Sequence, residues 1–355
     1  MTPLLAPATP AELASAVRSA PRVIVVGAGT KARLAAVAGD FVRISTKRMS
    51  GIVEYEPSEF TFTALAGTPV RDIMAVLAAR GQYLPFDPML AEAGATIGGT
   101  VAAGLSGPGR WRFGGLRDFI LGVQFVDGEG RLLRMGGKVV KNAAGFDLPK
   151  FFVGSAGRFG ALAEVTFKVF PRPRAVRTLQ LEAKNSAAKA RLLTAAANTR
   201  WELDALDASI DEPAVYLRLG GPPEALEPLA AEVLARFPGA VVDESVAAAL
   251  WREAVELRWA REDGELAKMA LTPADVPEFV GLVRGLSGAR GWISGGGNVG
   301  YVSVPPGAGF SAFPWSGVTL RGAGPLWLGP PRNFVVMHAV KAALDPQKRF
   351  PNLDD

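Results

Sequence analysis

Ala95-Thr-Ile-Gly-Gly-Thr-Val-Ala-Ala-Gly104 is the first of three glycine-rich blocks that follow one another in this 355-residue chain. The other two are Gly107-Pro-Gly-Arg-Trp-Arg-Phe-Gly-Gly115 and Gly136-Gly-Lys-Val-Val-Lys-Asn-Ala-Ala-Gly-Phe-Asp147, and a shorter block, Val26-Gly-Ala-Gly-Thr30, lies upstream. Glycine adopts positive φ easily and lets a ligand approach the main chain closely. Four such blocks, each beside an apolar run, predict a chain folded around a long ligand that is contacted at many points.

The composition is that of a globular protein with a full hydrophobic core, since 49% of the residues are hydrophobic and 8% are aromatic. The length predicts two to three domains. No uninterrupted apolar run reaches the ~18 residues of a membrane-spanning helix. The N-terminus lacks the basic start of a signal peptide. We therefore expect a cytoplasmic location, with peripheral attachment to the inner membrane through partners as the alternative.

Several classes of site are excluded by residue content. The chain has no cysteine, so it cannot form disulfides or Cys-ligated zinc or iron–sulfur centres. Its single histidine, His338, lies in a segment with helical periodicity, where a helix residue is the simplest interpretation. The net charge of +5 comes from small basic groups rather than one long stripe, so nucleic-acid binding is not expected.

Helices and strands are mixed along the whole chain. Thr9-Pro-Ala-Glu12 predicts a capped helix, and residues 119 to 135 predict a β-hairpin around an Asp-Gly turn. A proline-rich segment near Pro171 predicts a domain boundary. Strands and helices then alternate to about Pro305, and a last helix is predicted over residues 332–344.

Gly27-Ala-Gly29-Thr-Lys-Ala32 formally fits the dinucleotide-binding pattern. The segment before the next predicted strand is too short for the usual helix, however, and no acidic residue ends that strand to bind a ribose. The interpretation that we favour is a nest of backbone N–H groups for a pyrophosphate, with Thr30 and Lys31 adding a hydroxyl and a charge.

The later blocks add candidate polar contacts. Arg110 is a candidate for binding a phosphate or a substrate carboxylate. Lys141 or Asn142 is a candidate for contacting a cofactor or substrate, whereas Lys138 is equally well explained as a solvated loop charge.

Taken together and in this order, the motifs resemble the vanillyl-alcohol-oxidase (PCMH-type) FAD-binding domain, and within that type the FAD-binding subunits of bacterial glycolate oxidases. The likeness covers residues 10 to 173 and returns at Leu344-Asp-Pro346 and Arg349-Phe-Pro-Asn352. The motifs that carry it in the first part are Leu84-Pro-Phe-Asp-Pro88, Ala95-Thr-Ile-Gly-Gly99, Gly107-Pro-Gly-Arg110, Gly115-Leu-Arg-Asp118, Gly137-Lys-Val-Val-Lys-Asn142, Gly145-Phe-Asp-Leu148 and Gly154-Ser-Ala-Gly157.

This resemblance implies an α+β fold with a two-lobed PCMH-type FAD-binding domain over residues 1–173. A smaller α+β cap domain over residues 174–325 would follow, and residues 326–355 would return a C-terminal helix to the FAD-binding domain. FAD would be bound non-covalently, because no His or Cys lies near the first glycine loop, where many relatives attach it. The implied cofactor-binding residues are Gly27, Ala28, Gly29, Thr30, Lys31, Pro88, Thr96, Ile97, Gly98, Gly99, Gly104, Gly137, Lys138, Lys141, Asn142, Gly145 and Asp147.

The implied activity is oxidation of a small 2-hydroxy acid such as glycolate or D-lactate. That reaction needs a base for the hydroxyl proton, a cation for the carboxylate and a flavin to accept the hydride. Related D-2-hydroxy-acid dehydrogenases use a histidine-rich, metal-assisted site that a chain with one histidine cannot reproduce. Arg110 and Lys141 are the candidate catalytic residues for the carboxylate, and Tyr301 or Glu164 is a candidate base.

Two functions from different classes stay open. The chain is either an FAD-carrying subunit that works with a sibling flavoprotein and an iron–sulfur subunit of a glycolate-oxidase-like complex, or a stand-alone FAD-dependent 2-hydroxy-acid dehydrogenase. The absent cysteines favour the first, because electrons then need an external exit. An NAD(P)-dependent Rossmann oxidoreductase is the third alternative.

Overall fold

The structure is a computed structural model that describes residues 4–137, 147–330 and 335–355. The strands within those ranges are β1 (Leu4–Leu5), β2 (Val23–Val26), β3 (Val42–Ser45), β4 (Ile52–Glu56), β5 (Thr61–Leu65), β6 (Gln82–Tyr83), β7 (Ile120–Val126), β8 (Leu132–Gly136), β9 (Ala161–Lys168), β10 (Phe170–Pro171), β11 (Ala175–Glu182), β12 (Leu203–Ser209), β13 (Ala214–Gly221), β14 (Gly239–Val241), β15 (Glu265–Ala270), β16 (Arg290–Ser294), β17 (Val299–Val304), β18 (Gly317–Arg321) and β19 (Trp327–Leu328). The α-helices are α1 (Pro10–Arg18), α2 (Val70–Ala78), α3 (Ile97–Ala103), α4 (Arg110–Phe113), α5 (Leu148–Phe151), α6 (Ser186–Ala197), α7 (Pro223–Arg236), α8 (Glu244–Glu256), α9 (Val276–Gly285) and α10 (Val335–Leu344).

A small parallel sheet and a five-stranded antiparallel sheet make up most of the first part. The parallel sheet has the order β1-β3-β2, and the antiparallel sheet has the order β4-β5-β9-β7-β8. The predicted hairpin is confirmed as β7 and β8, with Val126 opposite Leu132. The predicted cap is confirmed too, since the Thr9 hydroxyl accepts a hydrogen bond from the Glu12 N–H at 3.1 Å and so begins α1.

A large antiparallel sheet, which we call the large sheet, has the order β14-β11-β13-β12-β16-β17-β15-β18-β19. Side chains alternate between its two faces along each strand. On one face Met269 is buried beneath α6, α7 and α9. On the other face Leu266, Trp292 and Tyr301 pack against Met89 and other residues of the first part. This second face is the one that meets the glycine-rich segments.

Two of the elements that were not predicted shape the site. The Ala95–Gly104 block, for which no helix was predicted, forms α3, because the Thr96 hydroxyl caps the Gly99 N–H at 3.2 Å and small residues let the helix pack closely. The segment that forms β12 reads as polar because it contains Asp204 and Asp207, yet every residue of the strand is buried. An ion pair with Arg112 stabilises Asp204 there, and hydrogen bonds stabilise Asp207.

The C-terminal helix returns to the first part of the chain, as predicted. Met337 and Val340 of α10 pack on the core of the five-stranded sheet. The Gly128 N–H donates to the Leu344 carbonyl at 2.7 Å. The α+β architecture is thus confirmed, whereas the domain boundaries at 173 and 325 stay predictions.

None of the helices within the described ranges is long and apolar enough to cross a membrane.

Asp345 secures this return. Its carboxylate pairs with the buried Lys341 ammonium at 2.6 Å and accepts hydrogen bonds from the N–H groups of Arg349 (2.8 Å) and Phe350 (3.0 Å). The Asp345→Ala variant leaves a buried ammonium unpaired and should lower the free energy of unfolding by about 3–5 kcal/mol. Urea denaturation measures the difference.

Asp354→Ala is the matched control, because Asp354 is exposed. It should leave the unfolding midpoint within error of the parent. Equal effects of the two substitutions would contradict the anchoring role of Asp345.

Candidate functional site

The first glycine loop, Gly27 to Lys31, follows β2 directly and lines a cleft of about 400 Å³. It leads into a short 3₁₀ turn, Ala32–Ala35, and not into the long helix of a dinucleotide-binding unit. Gly29 has φ +80°, and no atom lies within 4 Å of where its side chain would be. The loop is thus an open, glycine-shaped backbone surface, and we call this space the loop cleft.

α3 forms a second wall of the loop cleft. Thr96, Gly98 and Gly99 line it at the start of the helix, and Ala102 lines it one turn later. The Gly98 N–H donates to the Ala66 carbonyl at 2.8 Å, and an added Cβ at Gly98 would lie 2.7 Å from the Ala66 Cβ. Only glycine permits this close packing of the helix on the end of the strand. The glycines of α3 therefore both allow this packing and line the cleft.

A second cleft of about 420 Å³ lies between α3 and the large sheet, and we call it the sheet cleft. It is lined by Gly104 and Arg110 from the first part and by Lys268 of β15, among others. The residues that line both clefts are Leu34, Ala102, Ser155 and Ala156. Because they share a wall, the two clefts form one long site whose size suits an extended ligand.

The charged side chains that line the two clefts are all cations in the described part of the chain: Lys31, Arg43, Arg110, Arg158 and Lys268. Lys31 is 8% exposed, and its Nζ donates to the Thr30 hydroxyl at 3.0 Å. Burial lowers the pKa of Lys31 to about 8, and Glu256 opposes the shift. A buried ammonium without a paired carboxylate costs free energy that a bound anion would recover.

Arg110 enters the sheet cleft from the four-residue helix α4. Asp87 pairs with Arg218 of β13 at 2.5 Å, just before this segment, and Arg112 pairs with Asp204 of β12 at 2.7 Å. These two ion pairs hold α4 against the large sheet. Arg112 is therefore a structural residue, whereas Arg110 has no ion pair within the described ranges and lines the cleft.

A buried aspartate supports the strand end beside Arg110. The Asp207 carboxylate accepts hydrogen bonds from Trp292 Nε1 (2.8 Å), Ser294 Oγ (2.9 Å) and the Gly295 N–H (3.0 Å). Burial raises the pKa of Asp207 to about 6, and the three hydrogen bonds oppose the shift. Gly295 lies against the Arg110 side chain, with an added Cβ 3.6 Å from Arg110 Cδ. The network thus positions the surface on which Arg110 rests.

Lys268 is the polar group that sequence reasoning missed. It lies on β15 opposite Tyr301 of β17, on the face of the large sheet that meets α3. Its Nζ donates to the Gly104 carbonyl at 3.2 Å. Burial, with a smaller contribution from the nearby positive charge of Arg110, lowers the pKa of Lys268 to about 7. A single lysine inside the apolar strand Glu265-Leu-Ala-Lys-Met-Ala270 was the available signal.

Neither base suggested by the sequence fits the site. The Tyr301 hydroxyl donates to Met89 Sδ at 3.3 Å, and burial raises its pKa, so the phenol keeps its proton. Glu164 lies on β9, pairs with Arg134 at 2.7 Å and lines a separate groove on the five-stranded sheet. Within the described ranges, no group of three or more His, Cys, Asp or Glu residues could hold a metal ion.

Several predicted contact residues lie away from the clefts. Ile97 is fully buried in the core of the first part, and its N–H donates to the Thr68 carbonyl. Pro88 is buried and does not line either cleft. Gly137 borders the groove on the five-stranded sheet, and the exposed Asp147 pairs with Lys150 at 2.9 Å. Lys138, Lys141, Asn142 and Gly145 lie outside the described residues.

A further glycine segment joins the site, although it was not among the predicted contacts. Ser155 and Gly157 line the loop cleft, and the Ala156 N–H donates to the Ala102 carbonyl of α3 at 2.8 Å. Arg158 donates to the carbonyls of Leu34 and Asp355 at 2.7 Å each. The Gly154-Ser-Ala-Gly157 motif was the signal for this segment.

Comparison with known proteins gives the family. The family model described as an FAD binding domain matches residues 2–136. The glycolate oxidase subunit GlcE of Escherichia coli (strain K12) is 37% identical over 261 residues, which are 72% of this chain and 70% of that protein. The glycolate oxidase subunit GlcD of Bacillus subtilis (strain 168) is 33% identical over 133 residues, or 38% of this chain and 28% of GlcD.

Solved structures agree on the fold. Alkyldihydroxyacetonephosphate synthase superimposes with a TM-score of 0.70 at 16% identity, over 97% of this chain and 74% of the synthase. A further relative by sequence, a D-lactate dehydrogenase of Anaerostipes hadrus, is 31% identical over 147 residues, 41% of this chain and 30% of that enzyme. With the match to GlcE extending over most of both proteins, this chain belongs to the GlcE family of glycolate oxidase subunits, which are PCMH-type FAD-binding flavoproteins.

Proposed function

We propose that this chain is the FAD-binding subunit of a glycolate-oxidase-like complex that oxidises a small 2-hydroxy acid, glycolate or D-lactate. Electrons would pass to a partner and not to NAD. The relatives named glycolate oxidase subunit and D-lactate dehydrogenase support the reaction class. The observation that carries the proposal is the pair of adjoining clefts, glycine-walled at one end and bearing two cations without carboxylate partners at the other.

The residues of the loop cleft fit FAD. Gly29 and Gly157 have positive φ and no atom within 4 Å of an added Cβ, so the backbone there is open to a ligand. We assign the pyrophosphate to residues 27–31, where backbone N–H groups and the Lys31 ammonium complement its charge. Thr96, Gly98, Gly99 and Gly104 would line the rest of the cofactor. The absence of cysteine, together with the position of His338 on α10, supports non-covalent binding.

Bound FAD would supply the two-electron acceptor that takes the hydride from C2 of the 2-hydroxy acid. The chain's own residues would bind and orient the substrate at the sheet cleft. Arg110 is always charged and presents several donors in one plane, which suits a carboxylate. Held by Arg110, the substrate would lie along the large sheet near Lys268, where Val299 and Val318 form an apolar wall.

The need for a partner rests on chemistry that this chain lacks. Without cysteine it cannot ligate an iron–sulfur cluster through thiolates. Electrons leaving the flavin therefore need another carrier, and a sibling flavoprotein with an iron–sulfur subunit would supply one. The alternative is a stand-alone FAD-dependent dehydrogenase, which the sheet cleft favours because it already contains candidate substrate-binding cations.

Lys31→Met tests the assigned pyrophosphate site. Loss of a charged hydrogen bond worth about 1.5–3 kcal/mol should raise the Kd for FAD roughly tenfold to a hundredfold. Removing a buried unpaired ammonium should leave the unfolding midpoint of the apoprotein unchanged or higher. Fluorescence titration of the apoprotein with FAD measures the affinity, and reversible release and rebinding also test non-covalent attachment.

Lys47→Met makes the same charge change on an exposed residue after β3 and serves as the control. Its Kd should stay within about threefold of the parent value. An unchanged Kd for FAD in the Lys31 variant would contradict the assignment of the pyrophosphate to the first glycine loop.

Anaerobic mixing of the FAD-loaded chain with glycolate or D-lactate tests the activity. In the proposed complex, bleaching of the flavin band should be slow for the chain alone and fast after its partner subunits are added. Stopped-flow absorbance measures both rates. Fast bleaching of the isolated chain would support the stand-alone dehydrogenase, and no bleaching in either form would refute 2-hydroxy-acid oxidation.

A further inference from the structure

The sheet cleft holds two cations that the fold itself does not use. Arg110 has no hydrogen bond through its guanidinium and no ion pair within the described ranges, and Lys268 donates only to the neutral Gly104 carbonyl. Buried cations in proteins are usually paired with a carboxylate, as Arg112 is with Asp204. Two cations without ion-pair partners in one cleft indicate that the cleft binds an anionic ligand. One cation is enough to bind a single carboxylate, so the other can have a different role.

The surroundings of Lys268 keep its amine away from acids. Among the described residues, the titratable or charged groups near it are the Arg110 guanidinium from α4, the Tyr301 phenol from β17 and Arg158, a cation that lines the same cleft. β18, its other neighbouring strand, places Val318 opposite it. α3 contributes only the Gly104 carbonyl. No carboxylate in the described ranges pairs with the ammonium, so deprotonation of Lys268 at neutral pH costs little.

The two cations differ in what they can do. Arginine does not release a proton in proteins, so Arg110 can only bind the carboxylate. A buried lysine loses its proton readily and is used as a general base. The other candidates for the general base in the described ranges do not fit, because Tyr301 keeps its proton and Glu164 lies on another surface.

We infer that Lys268 is the general base that accepts the hydroxyl proton of a 2-hydroxy acid whose carboxylate is bound by Arg110. The inference rests on the proposed function. The O–H bond breaks and its proton goes to the Lys268 amine, which becomes an ammonium. FAD, when bound, would accept the hydride from C2, so that the C–O bond becomes the carbonyl of a 2-oxo acid. Lys268 returns the proton to solvent after the product leaves.

The pH dependence has a defined sign. The base must be neutral before the reaction, so the flavin reduction rate at low substrate should rise with pH through the pKa of Lys268, about 7, and then level off. Binding of the carboxylate raises that pKa, so at saturating substrate the midpoint should move to higher pH.

The experiment uses the FAD-loaded chain, alone or in its complex, in whichever form substrate reduces the flavin. Lys268→Gln and Lys268→Arg should both slow flavin reduction by about 10²–10⁴-fold and lose the rise near pH 7. Lys184→Met, an exposed lysine in the second part, is the control and should keep the parent rate. Retention of FAD absorbance shows that each variant is folded.

Binding without turnover separates the base from the carboxylate site. 2-Hydroxyisobutyrate lacks a C2 hydrogen and cannot be oxidised to a 2-oxo acid. Its Kd, measured by calorimetry, should change less than about threefold in Lys268→Gln but rise more than about tenfold in Arg110→Met, which loses a charged contact.

A direct titration adds a readout that does not depend on turnover. Competitive acetylation at a series of pH values, followed by mass spectrometry, should give Lys268 a midpoint near 7, far below the roughly 10.4 of a lysine side chain in a model peptide. A Lys268 midpoint near 10.5, or parent-like rates in Lys268→Arg, would overturn the base assignment. If the parent itself is never reduced by a 2-hydroxy acid, the proposed function fails instead.

Discussion

The ion pair between Asp87 and Arg218 is the interaction on which the geometry of the site depends. One oxygen of Asp87 accepts from the Gly109 N–H at 2.7 Å and from the Arg218 guanidinium at 2.5 Å. It therefore joins the start of α4 to β13 of the large sheet. Both side chains are largely buried, at 18% and 14% exposed, so breaking the pair would leave an uncompensated charge between the two parts of the chain. That cost keeps Arg110 in the cleft that Lys268 also lines.

The two clefts of the site differ in the groups that they offer to a ligand. In the loop cleft the contacts come from backbone and small side chains, which suits a long cofactor that is held but not transformed at most of its atoms. In the sheet cleft the contacts include two unpaired cations and an apolar wall of Val299 and Val318. Low polarity there strengthens the attraction between Arg110 and a carboxylate and lowers the pKa of Lys268 at the same time.

The sequence predicted those elements that depend only on residues close together in the chain. The cap at Thr9, the hairpin of β7 and β8 and the glycine loop after β2 all follow from short-range rules of turn and cap chemistry. α3 was missed because its glycines oppose helix formation, and only packing against Ala66 favours them. β12 was missed because Asp204 and Asp207 resemble surface residues until their distant partners Arg112 and Trp292 are known.

The sequence by itself determined the family, the cofactor and the exclusion of cysteine- and histidine-based chemistry, because ordered glycine motifs and residue content do not depend on three-dimensional context. Only the tertiary structure decided which polar groups share the cleft. Arg110, Lys268 and Gly104 come from separate segments, and antiparallel pairing of β15 with β17 places Lys268 on the face that meets α3. A shift of one residue in that register would turn Lys268 toward the helices on the other face, so its position is a property of the sheet and not of its neighbours in sequence.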